Sequence, residues 1–239
     1  MNSPNRDALL RVARGLGPLL NELVFVGGQV AELLITDPGA TRVRPTDDVD
    51  TICAVTGRVG YQRLSKRLRG LGFVEDTSPG APVCRWRLGG DRLDVMPADE
   101  EILGFKNRWY DHGIRTAQAC ELTRGLTIRI VTAPVFIATK WEAFADRGGG
   151  DWYGSHDIED IVAVVAGRPE LYDETTSSAQ SLRAYVAQET LAFLASGVAD
   201  DVIAGALPDA RTIAGLVGKV RSRFQAMAEL ANRRDETRT

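Results

Sequence analysis

Apolar positions Leu9, Leu10, Val12, Ala13, Leu16, Leu19 and Leu20 recur at helical spacing and predict a helix over residues 7–21. Val24-Phe25-Val26 is a short apolar strand that stops at Gly27-Gly28, and VAELL then predicts a helix. A basic loop leads into a second strand that opens on Asp48-Val49-Asp50. Tyr61, Leu64, Leu68 and Leu71 form a helical stripe that ends at Gly72. Residues 83–88 and 92–96 flank Gly89-Gly90-Asp91 and predict a hairpin. Residues 97–111 read as a polar loop or short helix, with Phe105, Trp109 and Tyr110 as buried anchors or as stacking platforms. Residues 126–131 alternate as a strand, and Thr132 and Pro134 open a helix to about Arg147 that ends at Gly148-Gly149-Gly150. Ser155 is an N-cap for the next helix, whose first turn carries Asp157, Glu159 and Asp160.

Strands followed by helices at these spacings predict an α/β (α+β) fold: a mixed β-sheet flanked by helices, followed by a C-terminal helical subdomain. The expected division is a core domain over 1–168 and a helical subdomain over 169–239. Within the latter, residues 179–195 and 209–233 read as long helices joined by a linker at 197–208, and the tail NRRDETRT reads as frayed.

Composition narrows the function classes. A chain of 239 residues with 44% apolar content can bury a full core. A net charge of −3 argues against a globally basic nucleic-acid binder, though not against local basic patches. Cys53, Cys84 and Cys120 form no CxxC pair and read as inert thiols in a reducing compartment. The N-terminus lacks the apolar core of a signal peptide, and no apolar run reaches membrane-spanning length, so a cytoplasmic location without membrane association is expected.

Candidate chemistry begins at the second strand. Side chains alternate along a strand, so Asp48 and Asp50 point the same way and Asp47 points the other. Paired carboxylates repel unless a cation lies between them, and oxygen-only ligands suit Mg²⁺ or Mn²⁺. Gly27-Gly28 permits close approach of backbone to a phosphate at a helix start. Together these features suggest a nucleoside triphosphate carried with its metal. Asp94 is a lone carboxylate in an apolar strand, read as a third acidic ligand or as an edge residue in water. Arg85 and Arg87 share one face of the partner strand, as edge charges or as partners for an anion in the same groove. Lys140 lies among apolar neighbours, where it either snorkels or points a charge at phosphate. Arg63, Lys66, Arg67 and Arg69 lie off their helix's stripe, as a solvated face or a nucleic-acid contact, and Arg42, Arg44, Arg63, Lys66, Arg67, Arg85 and Arg87 could form a local RNA track.

VFVGGQVAELL followed by RPTDDVDTIC, with LDVM downstream, resembles the polymerase-beta-like nucleotidyltransferase superfamily. The Arg44-x-Thr46-x-Asp48-x-Asp50 form, and ATKWEAFADRG with SHDIEDI, look most like its abortive-infection-type toxin nucleotidyltransferases. The resemblance covers residues 20–165. It implies an NTP-dependent, Mg²⁺- or Mn²⁺-dependent enzyme that moves a nucleotide to an acceptor hydroxyl. By likeness, Asp48, Asp50 and Asp94 would be catalytic metal ligands. Gly27, Gly28, Arg44, Thr46, Lys140 and Asp157 would lie about the nucleotide, with Lys140 on the triphosphate. The implied acceptor is RNA, with tRNA 3′ ends foremost, or a protein hydroxyl, and a toxin role implies a cognate antitoxin. Aminoglycoside-modifying nucleotidyltransferases share the glycine pair and Asp-x-Asp, so a small-molecule acceptor is the alternative. A non-catalytic nucleotide-binding module is a third reading. The chain departs from the pattern at Asp47, which extends the acidic triplet, and at His156, where a more basic residue is usual.

Overall fold

A computed structural model of the chain describes residues 3–40, 43–104, 107–147, 150–207 and 215–232. Arg42, Phe105, Gly148, Gly149, Pro208 and the tail 233–239 lie outside the described residues. The chain divides into two compact units, Met1–Val30 with Arg44–Thr132, and Ala31–Val43 with Ala133–Thr239. The units therefore change over at residues 30, 43 and 132, whereas the composition changes character near 168, inside the second unit.

The first unit begins with helix α1 (Pro4–Leu16), whose N-cap Ser3 accepts a hydrogen bond from the Arg6 amide at 3.1 Å. Leu9, Val12, Ala13 and Leu16 form its buried stripe. The helix stops short of the expected residue 21 because Gly17 adopts a positive φ of 49° before Pro18. A 3₁₀ turn, Gly17–Glu22, carries the buried Leu19 and Leu20 onward. Strand β1 (Leu23–Val26) leads into helix α2 (Gly28–Leu34), and strand β2 spans Asp48–Cys53. Helix α3 (Gly57–Gly70) buries Leu64 and Leu68 and exposes Arg63, Lys66, Arg67 and Arg69, a solvated face as the spacing predicts. Arg67 pairs with Glu22, and Arg69 with Glu75. Strands β3 (Val74–Glu75), β4 (Arg85–Leu88) and β5 (Asp91–Pro97) follow, then helices α4 (Glu100–Leu103) and α5 (Tyr110–Thr116) and strands β6 (Gln118–Thr123) and β7 (Leu126–Ile130).

These strands form one seven-stranded mixed sheet in the order β3-β4-β5-β2-β1-β7-β6. β2 runs parallel to β5 and antiparallel to β1, which places it near the middle. One face carries Trp86, Val49, Leu93 and Val95, all buried. On the other face, Ile52 and Met96 are buried beyond the acids, and the Tyr110 hydroxyl of α5 donates to Met96 Sδ at 3.3 Å. Trp109 and Tyr110 are therefore anchors, and no stacking role is left to them or to the buried Trp86. Burial pushes the Cys53 thiol up to about 11 and the Cys84 thiol up to about 12, consistent with inert core cysteines.

The second unit is helical: α6 (Ala133–Arg147), α7 (His156–Gly167), α8 (Leu171–Thr176), α9 (Gln180–Ala195), α10 (Ala199–Ala206) and α11 (Leu216–Glu229). Ser155 caps α7 through a bond from the Ile158 amide at 3.4 Å. The expected 197–208 linker contains α10: Asp200 and Asp201 favour its first turn, and Val202 and Ile203 are buried. A ring cluster ties the unit together, with Phe193 at 5.8 Å from Trp141 and 5.2 Å from Phe224. Gly167 closes α7 against the 31–43 segment. A Cβ there would lie 2.8 Å from Ile35 and 3.0 Å from Ala40, and its carbonyl accepts from the Thr36 and Asp37 amides.

Candidate active site and metal centre

The site is a consequence of strand register. Val26 lies opposite Asp50, Asp50 opposite Asp94, and Asp94 opposite Arg85, a single row across β1, β2, β5 and β4. Directly opposed residues project to the same face of a sheet. Asp48, two positions before Asp50, joins them on that face. Among the described residues, Asp48, Asp50 and Asp94 form one group whose carboxylate oxygens lie within 4.8 Å of one another. Asp94 lies on an interior strand and is buried, so the edge-residue reading does not apply to it. Asp47 turns outward, with its side chain 90% exposed.

Arg85 reaches into this group. Its Nε donates to Asp94 Oδ1 at 2.8 Å and its Nη2 to Asp94 Oδ2 at 2.7 Å. The same Nη2 donates to Asp48 Oδ2 at 2.7 Å. The hydrogen bond to Asp94, together with the charges of Asp94, Asp48 and Asp50, holds the guanidinium above its ordinary range despite partial burial. Arg87 is not part of this clasp: its Nε is 4.0 Å from Asp76.

Gly27 closes the other side. It adopts φ 76°, and a Cβ there would lie 1.9 Å from Asp50 Oδ2 and 2.8 Å from Asp50 Cβ. Only glycine lets the β1–α2 turn run against that carboxylate. Gly28 starts α2 directly after it.

Arg44 and Thr46 are half-buried on the segment leading into β2. Two polar side chains peg that segment. Asn5 of α1 donates from Nδ2 to the Arg44 carbonyl at 2.9 Å and accepts from the Thr46 amide at 3.0 Å. Gln29 of α2 donates from Nε2 to the Thr46 carbonyl at 3.2 Å. A third side chain, Thr51, donates from Oγ1 to the Asp94 carbonyl at 3.1 Å and ties β2 to β5 beside the acids. None of these three was singled out by motif. Asn5 and Gln29 are polar residues at positions the helical pattern buries, and that mismatch was their one available signal.

Lys140 and Asp157 are brought together in the second unit. Lys140 Nζ is 2.9 Å from Asp157 Oδ1 and 2.7 Å from Asp160 Oδ2, all three residues buried. Arg147 adds a further contact to Asp157 at 3.2 Å. Burial alone would push Lys140 down, but the charges of Asp160 and Asp157 outweigh it and hold the ammonium above its usual range. Burial would likewise raise Asp157, yet Lys140 and Arg147 hold it below the usual carboxylate range. The lysine therefore neither snorkels nor lies among apolar groups alone; it is the centre of a buried ion cluster.

The three carboxylates of the first unit fit a divalent cation. They supply only oxygen, from a set close enough to converge, which suits Mg²⁺ or Mn²⁺. Among the described residues, no helix is long and apolar enough to cross a membrane.

No protein-family model matches the chain, and no curated protein matches it. Among solved structures, the chain is similar to the antibiotic-resistance factor ANT(2'')-Ia, with 14% identity and a TM-score of 0.48 over 82% of this chain and 96% of that one. It is also similar to JHP933 from Helicobacter pylori, with 12% identity and a TM-score of 0.46 over 97% of this chain and 95% of that one. A provisionally assigned nucleotidyltransferase from H. pylori matches at 12% identity and a TM-score of 0.40, over 95% and 92% of the respective chains. These likenesses are remote in sequence and partial in shape.

Proposed function

We propose that the chain is a metal-dependent nucleotidyltransferase, moving a nucleoside monophosphate from an NTP to an acceptor hydroxyl with release of pyrophosphate. One observation carries this reading: three carboxylates from two adjacent parallel strands gather together, and one of them, Asp50, lies against a turn with no room for a Cβ at Gly27. In this reading Asp48, Asp50 and Asp94 hold Mg²⁺ or Mn²⁺. Bound metal would neutralise phosphate charge and lower the pKa of the acceptor hydroxyl. The chain's own groups do the rest. The Gly27-Gly28 turn receives the triphosphate, and Arg44 and Thr46 line its approach. Asp94 takes the proton of the acceptor hydroxyl as its oxygen bonds to the α-phosphorus. The bond from the α-phosphorus to the departing pyrophosphate oxygen breaks in the same displacement. Catalysis here is positioning and charge stabilisation. Lys140 and Asp157 belong to this reading as a buried ion pair of the second unit.

The acceptor is proposed to be RNA, foremost a tRNA 3′ end, or a protein hydroxyl, in a cytoplasmic toxin restrained by a cognate antitoxin. The arginines on the acids' face of the sheet support a polyanionic acceptor: Arg87 and Arg92 flank the site with side chains 47% and 40% exposed.

The test incubates the protein with each labelled NTP and Mg²⁺, together with total RNA, protein or aminoglycosides. Label is expected in the RNA or protein fraction. Label in the aminoglycoside fraction would instead make this a small-molecule enzyme. Asp48→Asn and Asp50→Asn are each expected to lower transfer by about a hundredfold or more while leaving the circular dichroism spectrum unchanged. Transfer near the wild-type rate by both variants removes the mechanism. Growth arrest on expression, relieved by Asp50→Ala, is the expected sign of a toxin.

A further inference from the structure

Arg85 is placed among the carboxylates that the metal-dependent reading assigns to a divalent ion. One nitrogen, Nη2, is shared at 2.7 Å by Asp48 Oδ2 and Asp94 Oδ2, while Nε holds the other Asp94 oxygen at 2.8 Å. Both carboxylates belong to the trio that would ligate a divalent ion. An ion joining the two carboxylates needs contacts of about 2.0–2.1 Å to each, and the guanidinium already balances the charge of the same two groups. Guanidinium and metal therefore compete to neutralise the same two carboxylates. Arg85 reaches them because it lies directly opposite Asp94 in the β4–β5 ladder. Its side chain is 17% exposed, so the guanidinium is partly open to solvent rather than sealed in the core.

We propose that Arg85 is a built-in counter-ion that holds Asp48 and Asp94 together before metal arrives, and that metal binding displaces it. In the metal-loaded site the released guanidinium turns to the polyphosphate that accompanies the ion. Planar guanidinium suits both partners, since it bridges carboxylates and phosphates equally well. This makes Arg85 a positioning residue: it keeps a repulsive trio assembled and sets the threshold for metal entry. The inference rests on the metal-dependent reading of the trio.

The test is Mn²⁺ binding without nucleotide, followed by electron paramagnetic resonance, on wild type, Arg85→Gln and Arg85→Lys. Arg85→Gln removes the competitor and is expected to bind Mn²⁺ at least about tenfold more tightly. Arg85→Lys keeps the charge without the fork and is expected to fall between the two. Without metal, Arg85→Gln is expected to melt earlier than wild type, and added Mn²⁺ to restore its melting temperature. Equal or weaker Mn²⁺ binding by the folded variants overturns the proposal. If Arg85→Gln does not fold, Arg85→Lys decides alone: affinity no tighter than wild type overturns it. Wild type and variants that all fail to bind Mn²⁺ at millimolar concentration would instead remove the metal-dependent reading, a different failure with a different signature.

Discussion

At the scale of single residues, the site depends on a contact that allows one side chain only. Gly27 combines a positive φ with a Cβ direction aimed into the Asp50 carboxylate. Gly27→Ala must strain the backbone, for about 1–3 kcal/mol, and push Asp50 aside. A lower urea midpoint is expected, together with weaker Mn²⁺ binding. Both quantities at wild-type values would show that the turn does not buttress the carboxylate. The acidic trio was legible from the chain because strand alternation and the apolar context of Asp94 are local properties. Its preference for Asp48 over Asp47 was legible for the same reason. Arg85 was visible as a charge on the right strand, but whether it served solvent, substrate or the acids depended on β4–β5 register, which the hairpin turn leaves open.

At the scale of elements, the loop before β2 is held by a side chain from the first helix, 39 and 41 residues earlier than its two partners. Asn5 bonds both the Arg44 carbonyl and the Thr46 amide. Asn5→Ala leaves two part-buried backbone groups without that partner, for about 0.5–1.5 kcal/mol. Loss of hydrogen-exchange protection at the Thr46 amide is expected specifically, with the β2 amides less affected. Unchanged exchange at Thr46 would show that the loop is held by other contacts. Long periodic elements such as α3, α6 and α9 were readable because each repeats its pattern over several turns. Short ones were not. β3 has two residues, both exposed, and exists through pairing with β4. β6 shows mostly exposed positions on a sheet edge, and α8 and α10 span six and eight residues, too short for a secure period.

At the scale of the whole chain, two ionic centres divide between the two units, and they answer pH differently from ordinary surface charge. In the second unit, Lys140 is enclosed by Asp157 and Asp160 with Arg147 behind Asp157. Lys140→Met leaves two buried carboxylates without their shared cation, a loss of about 3–5 kcal/mol. The deficit is expected without any nucleotide, which separates this structural role from a loss of triphosphate binding. Asp157 is held below its usual range, so its contribution is present above the unfolded value of about 4 and is lost as pH falls through the folded value. Lys140 is held above its usual range, so its contribution is complete below about 10.4 and is lost as pH rises through the folded value. The wild-type contribution should therefore be flat across neutral pH, whereas the unpaired buried carboxylates of Lys140→Met take up protons at higher pH, so the difference between the two should shrink steadily as pH falls and again above the folded Lys140 value. Because two compact units need not unfold together, the curve is best followed by the fluorescence of Trp141 and Trp152, both in the second unit. A difference that does not shrink at acid pH would mean that the cluster does not hold these charges in the folded chain.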